Sequence, residues 1–445
     1  MPGANTAFQP RAWQPVGNVR PCCCGINRMA RSPGRDRGRL TLRRHHCGSI
    51  PPAPGPPAMT AAPSIASTAA TRPLRPLPEE AARLAWVDVA KGLCIILVVM
   101  MHSTLGTGEA LGGEGFLHTV VEFAKPFRIP DFFLLSGLFL GRVIDRDWRL
   151  FADRRVVHFA YFYGLWVVIQ SLFKAGSIVG GADGSAEKLA AFGLHLAEAL
   201  VVPYSTLWFV YLLAVFSVVT KLLHRRVPPA LLLVAAAVLQ ILPTSGLPEL
   251  LDEFCERYVY FLGGYLFAEW IFRFADRVRE RAGLALAGLA LWAVLEAVFV
   301  FTPTGIEALP TLARLPVVSL GLGTVGALAI VAFAGLMTRA GGPVTAALRA
   351  CGERSIVIYL GFFLPMALTR TLIVRFNDAQ PDLALDVGLA SLVVTVAAVT
   401  VPLAFERLVR GTRLNFLFRR PGAFHIAPAP AAPARLRPAS APREA

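Results

Sequence analysis

Residues 86–106, WVDVAKGLCIILVVMMHSTLG, form an apolar stretch long enough to cross a lipid bilayer as a helix, yet they include Asp88, Lys91 and His102. A helix turns by about 100° per residue, so Lys91 and His102 share one face and Asp88 lies within about 40° of it. The helical rise separates Lys91 from His102 by roughly 16 Å, which puts Lys91 near an interface and His102 past the bilayer midplane. The stretch predicts a spanning helix whose polar face meets protein or a cavity.

The composition extends this prediction to the whole chain of 445 residues, which is 55% hydrophobic and 16% charged with a mean hydropathy of +0.55. Soluble domains are about 45–50% apolar and about 25% charged, so a soluble protein is excluded. The sequence predicts an all-α, polytopic membrane protein with about ten transmembrane helices and no internal repeat. The expected spans are residues 86–105, 127–144, 156–173, 205–223, 229–244, 257–274, 283–301, 317–338, 353–374 and 385–406.

The net charge of +15 belongs mainly to the two ends of the chain. Residues 1–78 carry +10 and residues 421–445 carry +2, which leaves +3 for everything between them. We therefore predict no nucleic-acid partner. The predicted organisation is a disordered Arg/Pro-rich arm over 1–82, a transmembrane domain over 83–410 and a disordered cytoplasmic tail over 411–445, with Met59 as a candidate alternative start.

The cysteines predict neither a metal site nor a disulfide framework. The run CCC at residues 22–24 and the segment HHC at 45–47 lack the paired spacing of zinc ligands. Cys94, Cys255 and Cys351 stand singly in apolar or interfacial segments, where a small buried side chain is the simpler interpretation.

Basic residues concentrate in every second loop between the expected spans, and acidic residues occupy the alternate loops. The basic set comprises Arg142, Arg146, Arg149, Arg154, Arg155, Lys221, Arg225, Arg226, Arg273, Arg277, Arg279, Arg281, Arg339, Arg349 and Arg354. Short cytoplasmic loops carry such an excess of Lys and Arg. With an even number of spans, both termini are predicted to be cytoplasmic. The predicted location is the cell inner membrane, as a multi-pass protein, and membrane lipid is therefore an expected partner.

Five segments, in the same order, resemble the acyltransferase-three family of integral-membrane O-acyltransferases. The first is Lys91-x₁₀-His102, which matches the family's spacing of a basic residue and a histidine in the first span. The others are PDFFLLSGLFL at 130–140, LWFVYLL at 207–213, RYVYFLGGYLF at 257–267 and GERSIVIYLGFFLP at 352–365. Two positions depart from the family: Arg155-Val-Val-His158 replaces its Arg-x-x-Arg, and Phe362 stands where many members have histidine.

The resemblance implies an enzyme that moves a small acyl group, acetyl or succinyl, from a cytoplasmic acyl thioester to a hydroxyl of a cell-surface or periplasmic carbohydrate. The expected donor is acyl-coenzyme A, with no cofactor bound. Acyl transfer to a hydroxyl needs a base, and histidine, which ordinarily titrates near pH 6.5, suits that role, so His102 is the candidate catalytic residue. A structural histidine bonded to a neighbouring helix is the simpler alternative for it.

The donor is a polyanion that arrives from the cytoplasm, so cations on that side are candidates for binding it. The set of substrate-binding candidates is Lys91, Arg154, Arg155 and His158, with Asp88 on the same stripe and Trp208 on the opposite side. The alternative for Arg154 and Arg155 is a purely topological charge. Trp208 fits an interfacial aromatic belt or a platform for stacking a sugar, with the belt favoured.

Asp131 opens the second expected span, where its carboxylate can orient a histidine or cap the N-terminus of the helix, and capping is the favoured role. The alternative function for the whole chain is a proton-coupled transporter or glycan exporter, in which His102 would relay protons. The missing repeat symmetry speaks against a transporter.

Overall fold

A computed structural model of the chain describes residues 78–181, 184–242, 248–306 and 309–426, with side chains from Leu84 onward. These residues are almost entirely helical, which confirms the all-α membrane architecture. Residues 1–77 of the expected arm, including its cysteines, lie outside the described residues.

The described residues form seventeen α-helices and one short hairpin. The helices are α1 Pro78–Leu111, α2 Phe116–Ala124, α3 Arg128–Gly137, α4 Trp148–Ala152, α5 His158–Phe173, α6 Ala175–Ile178, α7 Ser185–Glu198, α8 Trp208–Leu223, α9 Pro229–Ile241, α10 Glu249–Leu266, α11 Ala268–Glu280, α12 Ala282–Phe301, α13 Pro316–Ala340, α14 Gly342–Glu353, α15 Ser355–Gly361, α16 Phe363–Ala379 and α17 Val387–Val409. A π-helical turn, Asp153–Val157, joins α4 to α5. Strands β1 Pro303–Ile306 and β2 Leu309–Thr311 pair antiparallel.

Within the described ranges, six helical segments are long and apolar enough to span a membrane, or seven if the bent pair α15–α16 crosses it as one span. This count is lower than the ten predicted. Residues 127–144 divide into the ten-residue α3 and a following turn, and α9 has only thirteen residues. Residues 257–274 break between α10 and α11, and the first turns of α10 are rich in charge. The placement of both termini in the cytoplasm was based on an even count and stays a prediction.

Helix α1 lies at the centre of the bundle and packs against α2, α3, α13, α14 and α17. Its closest neighbour is α14, because two glycines allow the backbones to touch. A Cβ atom on Gly352 would lie 1.7 Å from the carbonyl oxygen of Asp88, and one on Gly92 would lie 1.9 Å from that of Leu348. Small residues permit this kind of close crossing between membrane helices. The crossing holds the part of α1 that carries Asp88 and Lys91 directly against α14.

A second glycine crossing joins α3 to α10. A Cβ atom on Gly137 would lie 2.1 Å from the carbonyl oxygen of Phe261, and one on Gly264 would lie 2.0 Å from that of Leu134. This contact holds the short α3 against a longer helix, so α3 is stabilised by packing and need not span the bilayer itself. It also brings the first turn of α3 towards the His102 end of α1.

Residues 411–426, here called the C-terminal strap, fold back against α5. Tyr161 donates a hydrogen bond to the carbonyl oxygen of Phe416 at 3.0 Å, and the Trp166 indole donates to that of Leu417 at 3.1 Å. Aromatic and aliphatic residues in this segment cover the end of the bundle, and α5 satisfies part of its backbone.

Asp153 anchors the far end of the strap. Arg420 donates to its carboxylate at 2.8 Å, and the backbone N–H of Ile426 donates at 2.9 Å. The tail that the sequence predicts from residue 411 onward therefore includes a segment, residues 411–426, with aromatic and ionic contacts to α5 and Asp153. The rest of that prediction, residues 427–445, lies outside the described residues.

Candidate functional site

His102 and Lys91 lie on one uninterrupted helix, α1, so the predicted single stripe is present in the fold. His102 is half-buried, and its ring lies 5.5 Å from that of Phe362, centroid to centroid. Phe362 sits between α15 and α16, where the axis bends by 52°. Breaks of this kind in membrane helices occur where they face protein or a cavity.

Arg128 approaches His102 from the first turn of α3. Its guanidinium Nη1 donates to the carbonyl oxygen of Val121 at 2.9 Å, and only 8% of the residue is exposed. The charges of Arg128 and His102 are close enough to interact, as are those of Arg128 and Arg257. A permanent cation therefore stands beside the candidate base.

A second guanidinium, that of Arg370 on α16, covers the next turn of α1. A Cβ atom on Gly106 would lie 2.3 Å from Nη1 of Arg370, so glycine makes room for it. Gly106 is four residues after His102 and thus on the same face. Lys174 lies near Arg370 with its ammonium 4.8 Å from the Phe363 ring centroid. Burial, and then the charge of Arg370, lower the pKa of Lys174 from its ordinary value.

Trp208 begins α8 and is half-buried within the protein, and its role as an interfacial belt residue or a platform for stacking a sugar stays a prediction. The Arg257 guanidinium lies 5.4 Å from its ring centroid, and Arg257 pairs with Glu253 at 2.7 Å. Trp208 and Glu253 line a shallow cleft with a cavity volume of about 10 Å³, together with Pro203, Leu212, Glu249 and Leu250. An aromatic face beside carboxylates suits the apolar faces and hydroxyl groups of a sugar.

The opposite end of α1 holds a group of cations around one ring, here called the Lys91 cluster: Lys91, Phe139, Arg142 and Arg155. The Lys91 ammonium lies 5.1 Å and the Arg142 guanidinium 4.9 Å from the Phe139 ring centroid. Asp88, Arg142 and Arg155 are near enough to interact electrostatically with Lys91. The sequence analysis treated Arg142 as a topological charge, whereas the fold places it in this cluster.

His158 extends the Lys91 cluster towards the strap. It lies within electrostatic range of Arg155, Arg420 and His425, and its ring packs 5.1 Å from that of Phe162. Arg154, the remaining predicted donor-binding residue, is exposed. The fold thus groups Arg155 and His158 and leaves Arg154 apart.

Asp131 does not cap its helix, and that prediction is wrong. Phe127 occupies the cap position, and the Asp131 carboxylate instead accepts a hydrogen bond from the thiol of Cys94 on α1. Both side chains are fully buried between the two ends of the stripe. The packing of α3 against α1 turns the residue inward, which the sequence pattern alone did not indicate.

Three cations were not predicted from the sequence: Arg128, which interacts electrostatically with His102, Arg257, which interacts with Arg128, and Arg370, which lies beside Gly106. Arg128 lies at the start of a short helix and Arg257 in the charged first turns of another, where a basic residue is expected at the membrane interface. Arg370 lies within a predicted span. The signal that could have found Arg370 is an arginine inside an apolar segment, which is costly and commonly functional.

The arrangement offers two chemical capabilities along α1 and a third on α8. The Lys91 cluster can bind a polyanion, His102 can accept a proton, and the Trp208 indole on α8 offers an aromatic face. In the part of the chain that the structure describes, no three His, Cys, Asp or Glu side chains are grouped as metal ligands would be.

Comparison with known proteins adds an independent finding. The profile of a family described as an acyltransferase domain matches residues 84–407, which include both ends of the stripe and exclude the strap. The inner membrane protein YcfT of Escherichia coli strain K12 is 28% identical over 179 residues, covering 36% of this chain and 50% of that protein. The chain therefore matches about half the length of this curated relative. No solved structure matches the chain.

Proposed function

Because the chain belongs to the acyltransferase-three family and is therefore a membrane-embedded acyltransferase, we propose that it moves an acetyl or succinyl group from acyl-coenzyme A to a hydroxyl of a cell-surface or periplasmic carbohydrate. The observation that carries this proposal is the single helix α1, which has a cation cluster at one end and His102 at the other.

The donor's phosphates would bind at the Lys91 cluster. Arg155 presents a guanidinium that can bind phosphate through two parallel hydrogen bonds, and the Lys91 ammonium supplies a point charge next to it. The extended thioester arm of coenzyme A would then run along α1 towards His102, roughly 16 Å away.

The acceptor would approach from the Trp208 cleft. One sugar face can stack on the indole, and Glu253 can accept hydrogen bonds from its hydroxyl groups. A second hydroxyl of the same carbohydrate would then have to reach His102.

His102 would act as general base. Its imidazole takes the proton of the acceptor hydroxyl while the oxygen attacks the thioester carbonyl carbon. The tetrahedral intermediate then collapses, the C–S bond breaks and the departing sulfur receives the proton from the imidazolium. Acyl ester and free coenzyme A are the products.

The test is acyl transfer by the purified protein in proteoliposomes. Labelled acetyl- or succinyl-coenzyme A is supplied with carbohydrate extracted from the envelope of the producing cell, and both labelled ester and free thiol are measured. We expect equal amounts of the two products above protein-free vesicles. Proton-coupled movement of the carbohydrate without ester formation would instead support the transporter or exporter and refute the proposal.

We also propose that the protein lies in the cell inner membrane with both termini in the cytoplasm. The relative YcfT, which is named an inner membrane protein, and the pattern of basic loops support this proposal. A reporter that is active only in the periplasm, fused after Ala445, should be inactive. Activity of that fusion would refute the proposed orientation. The Lys91 cluster would then face the periplasm, where a cytoplasmic donor does not reach it.

A further inference from the structure

Arg128 is a buried cation that forms no ion pair with any of the described residues. Its Nη1 has one hydrogen bond, to the Val121 carbonyl, and its buried Nε has no partner. In the described part of the chain it forms no ion pair, and the carboxylate that acts on it, that of Glu122, pairs with Lys125 at 3.0 Å on the surface. A buried charge without a counter-ion is costly and therefore requires an explanation.

The position of Arg128 relative to His102 is fixed by α2. Val121 packs with Met100 and Leu117 in a small buried cluster against α1, and its carbonyl oxygen holds the Arg128 guanidinium. The guanidinium is therefore held at the level of α1 just before His102, and the two groups interact electrostatically.

Arg128 differs in this respect from its cationic neighbour. Arg257 is neutralised by Glu253 and Glu256, to which it is bonded. Arg128 is thus a fixed positive charge that has no ion-pair partner among the described residues and is nine-tenths buried. It interacts electrostatically with the candidate base, His102.

We propose that Arg128 is a catalytic residue that stabilises the oxyanion of the tetrahedral intermediate, an inference that rests on the proposed acyl transfer. When the acceptor oxygen bonds to the carbonyl carbon, the C=O electron pair moves onto the carbonyl oxygen and the hydroxyl proton moves to His102. The guanidinium donates to that oxygen. Collapse returns the electron pair to the C=O bond, expels the thiolate and passes it the proton from His102.

Electrostatic reasoning favours this role. The Arg128 guanidinium is already oriented by the Val121 carbonyl, so little reorganisation energy is needed when negative charge develops on the substrate oxygen. In a poorly solvated site this electrostatic stabilisation is stronger than it would be in water. A transient anion in the intermediate supplies the counter-charge that the resting protein lacks. A substrate with a permanent carboxylate is the competing source of negative charge, and the test separates the two.

The experiment compares wild type, Arg128→Gln and the control Lys125→Gln in the proteoliposome assay, each with acetyl- and with succinyl-coenzyme A. Lys125 lies three residues earlier, is exposed, and forms a surface pair, so its removal deletes a charge outside the site. We expect Arg128→Gln to lower kcat about 10²–10³-fold with both donors and little change in KM, as for loss of an oxyanion donor. Lys125→Gln should keep wild-type kcat.

Three results would overturn the inference: wild-type kcat in Arg128→Gln, an effect confined to KM, or a loss seen only with the succinyl donor. If Arg128→Gln does not fold, Arg128→Lys decides. One ammonium cannot hold the Val121 carbonyl and reach the oxyanion with the same geometry, so we expect kcat to fall at least about tenfold with unchanged KM. Full kcat in that variant refutes the role. An inactive wild type would refute the proposed function itself, whereas an active wild type with active Arg128 variants refutes only this step.

Discussion

Lys91 and Arg155 are the cations whose removal should weaken donor binding most. Lys91→Ala and Arg155→Ala should each raise KM for acyl-coenzyme A about tenfold with a smaller change in kcat, because they contact the donor's phosphates equally in the ground and transition states. Initial rates against donor concentration measure this.

Arg226→Ala, which removes an exposed loop cation outside the Lys91 cluster, is the control. Because Arg154 is also exposed, Arg154→Ala should raise KM less than Arg155→Ala does. An equal effect of all three variants would mean that general surface charge, and not the cluster, attracts the donor.

Gly106 offers a second test at the residue scale. Gly106→Val places side-chain atoms where the Arg370 guanidinium lies, so Arg370 must leave the turn above His102. We expect transfer activity to fall at least about tenfold while the protein still folds, because the far end of the arginine can move into solvent. Gly283→Val, at an open position on α12, is the matched control and should remain active.

Much of the site was predictable because one helix carries it. The spacing of Lys91 and His102 is a local property, and a helix of known pitch converts it into a shared face. Arg128 and Arg370 could not be found in this way, because their neighbours are set by how α2, α3 and α16 fold onto α1. Such contacts join residues far apart in sequence and leave no periodic pattern.

At the scale of elements, the α1–α14 crossing is the contact most sensitive to size. Gly352→Leu would put a Cβ atom into the Asp88 carbonyl, and the helices would have to separate. We expect destabilisation at or beyond the upper end of the roughly 1–3 kcal/mol that overpacking costs. Thermal unfolding in detergent measures it.

The control for this crossing is Gly288→Leu on α12, where no atom lies within 4 Å of the added Cβ. That variant should unfold like wild type or slightly later, since leucine favours helix more than glycine does. Equal stability of both leucine variants would show that α14 does not lie against α1 as described.

The C-terminal strap depends on Asp153. Asp153→Ala removes the charged acceptor of Arg420, whose side chain is 5% exposed, and should cost about 2 kcal/mol locally. Trypsin cleavage after Arg419, an exposed residue next to Arg420 in the strap, should therefore become faster. Asp145→Ala breaks the exposed pair with Arg225, 59% and 72% exposed, and should leave cleavage unchanged. Unaltered cleavage in Asp153→Ala would contradict the anchoring.

The span count shows where hydropathy alone misleads at this scale. Residues 127–144 and 257–274 are apolar enough on average, but α3 ends after ten residues and α10 begins with a charged turn. The glycine crossing between α3 and α10 lets both be buried by protein without each crossing the bilayer. Average hydropathy measures burial and does not distinguish a lipid environment from a protein one.

For the whole molecule, composition was enough to predict a helical membrane protein, because only helices and closed barrels satisfy their backbone in lipid. The order of the helices around α1 was not predictable, and it is this order that puts cations at both ends of the stripe. Neither hydropathy nor the family match predicts the strap. Its contacts are aromatic and ionic, and its residues lie after residue 407, where the match ends.

The most direct test of the account is the transfer rate of His102→Ala in proteoliposomes with labelled acyl-coenzyme A and envelope carbohydrate, beside His224→Ala from the loop after α8 as control. Both variants should insert and elute as wild type. We predict that His102→Ala loses about 10²–10⁴-fold in kcat, the usual contribution of general-base catalysis, and that His224→Ala retains activity. A His102→Ala protein that transfers acyl groups at close to the wild-type rate would contradict the mechanism.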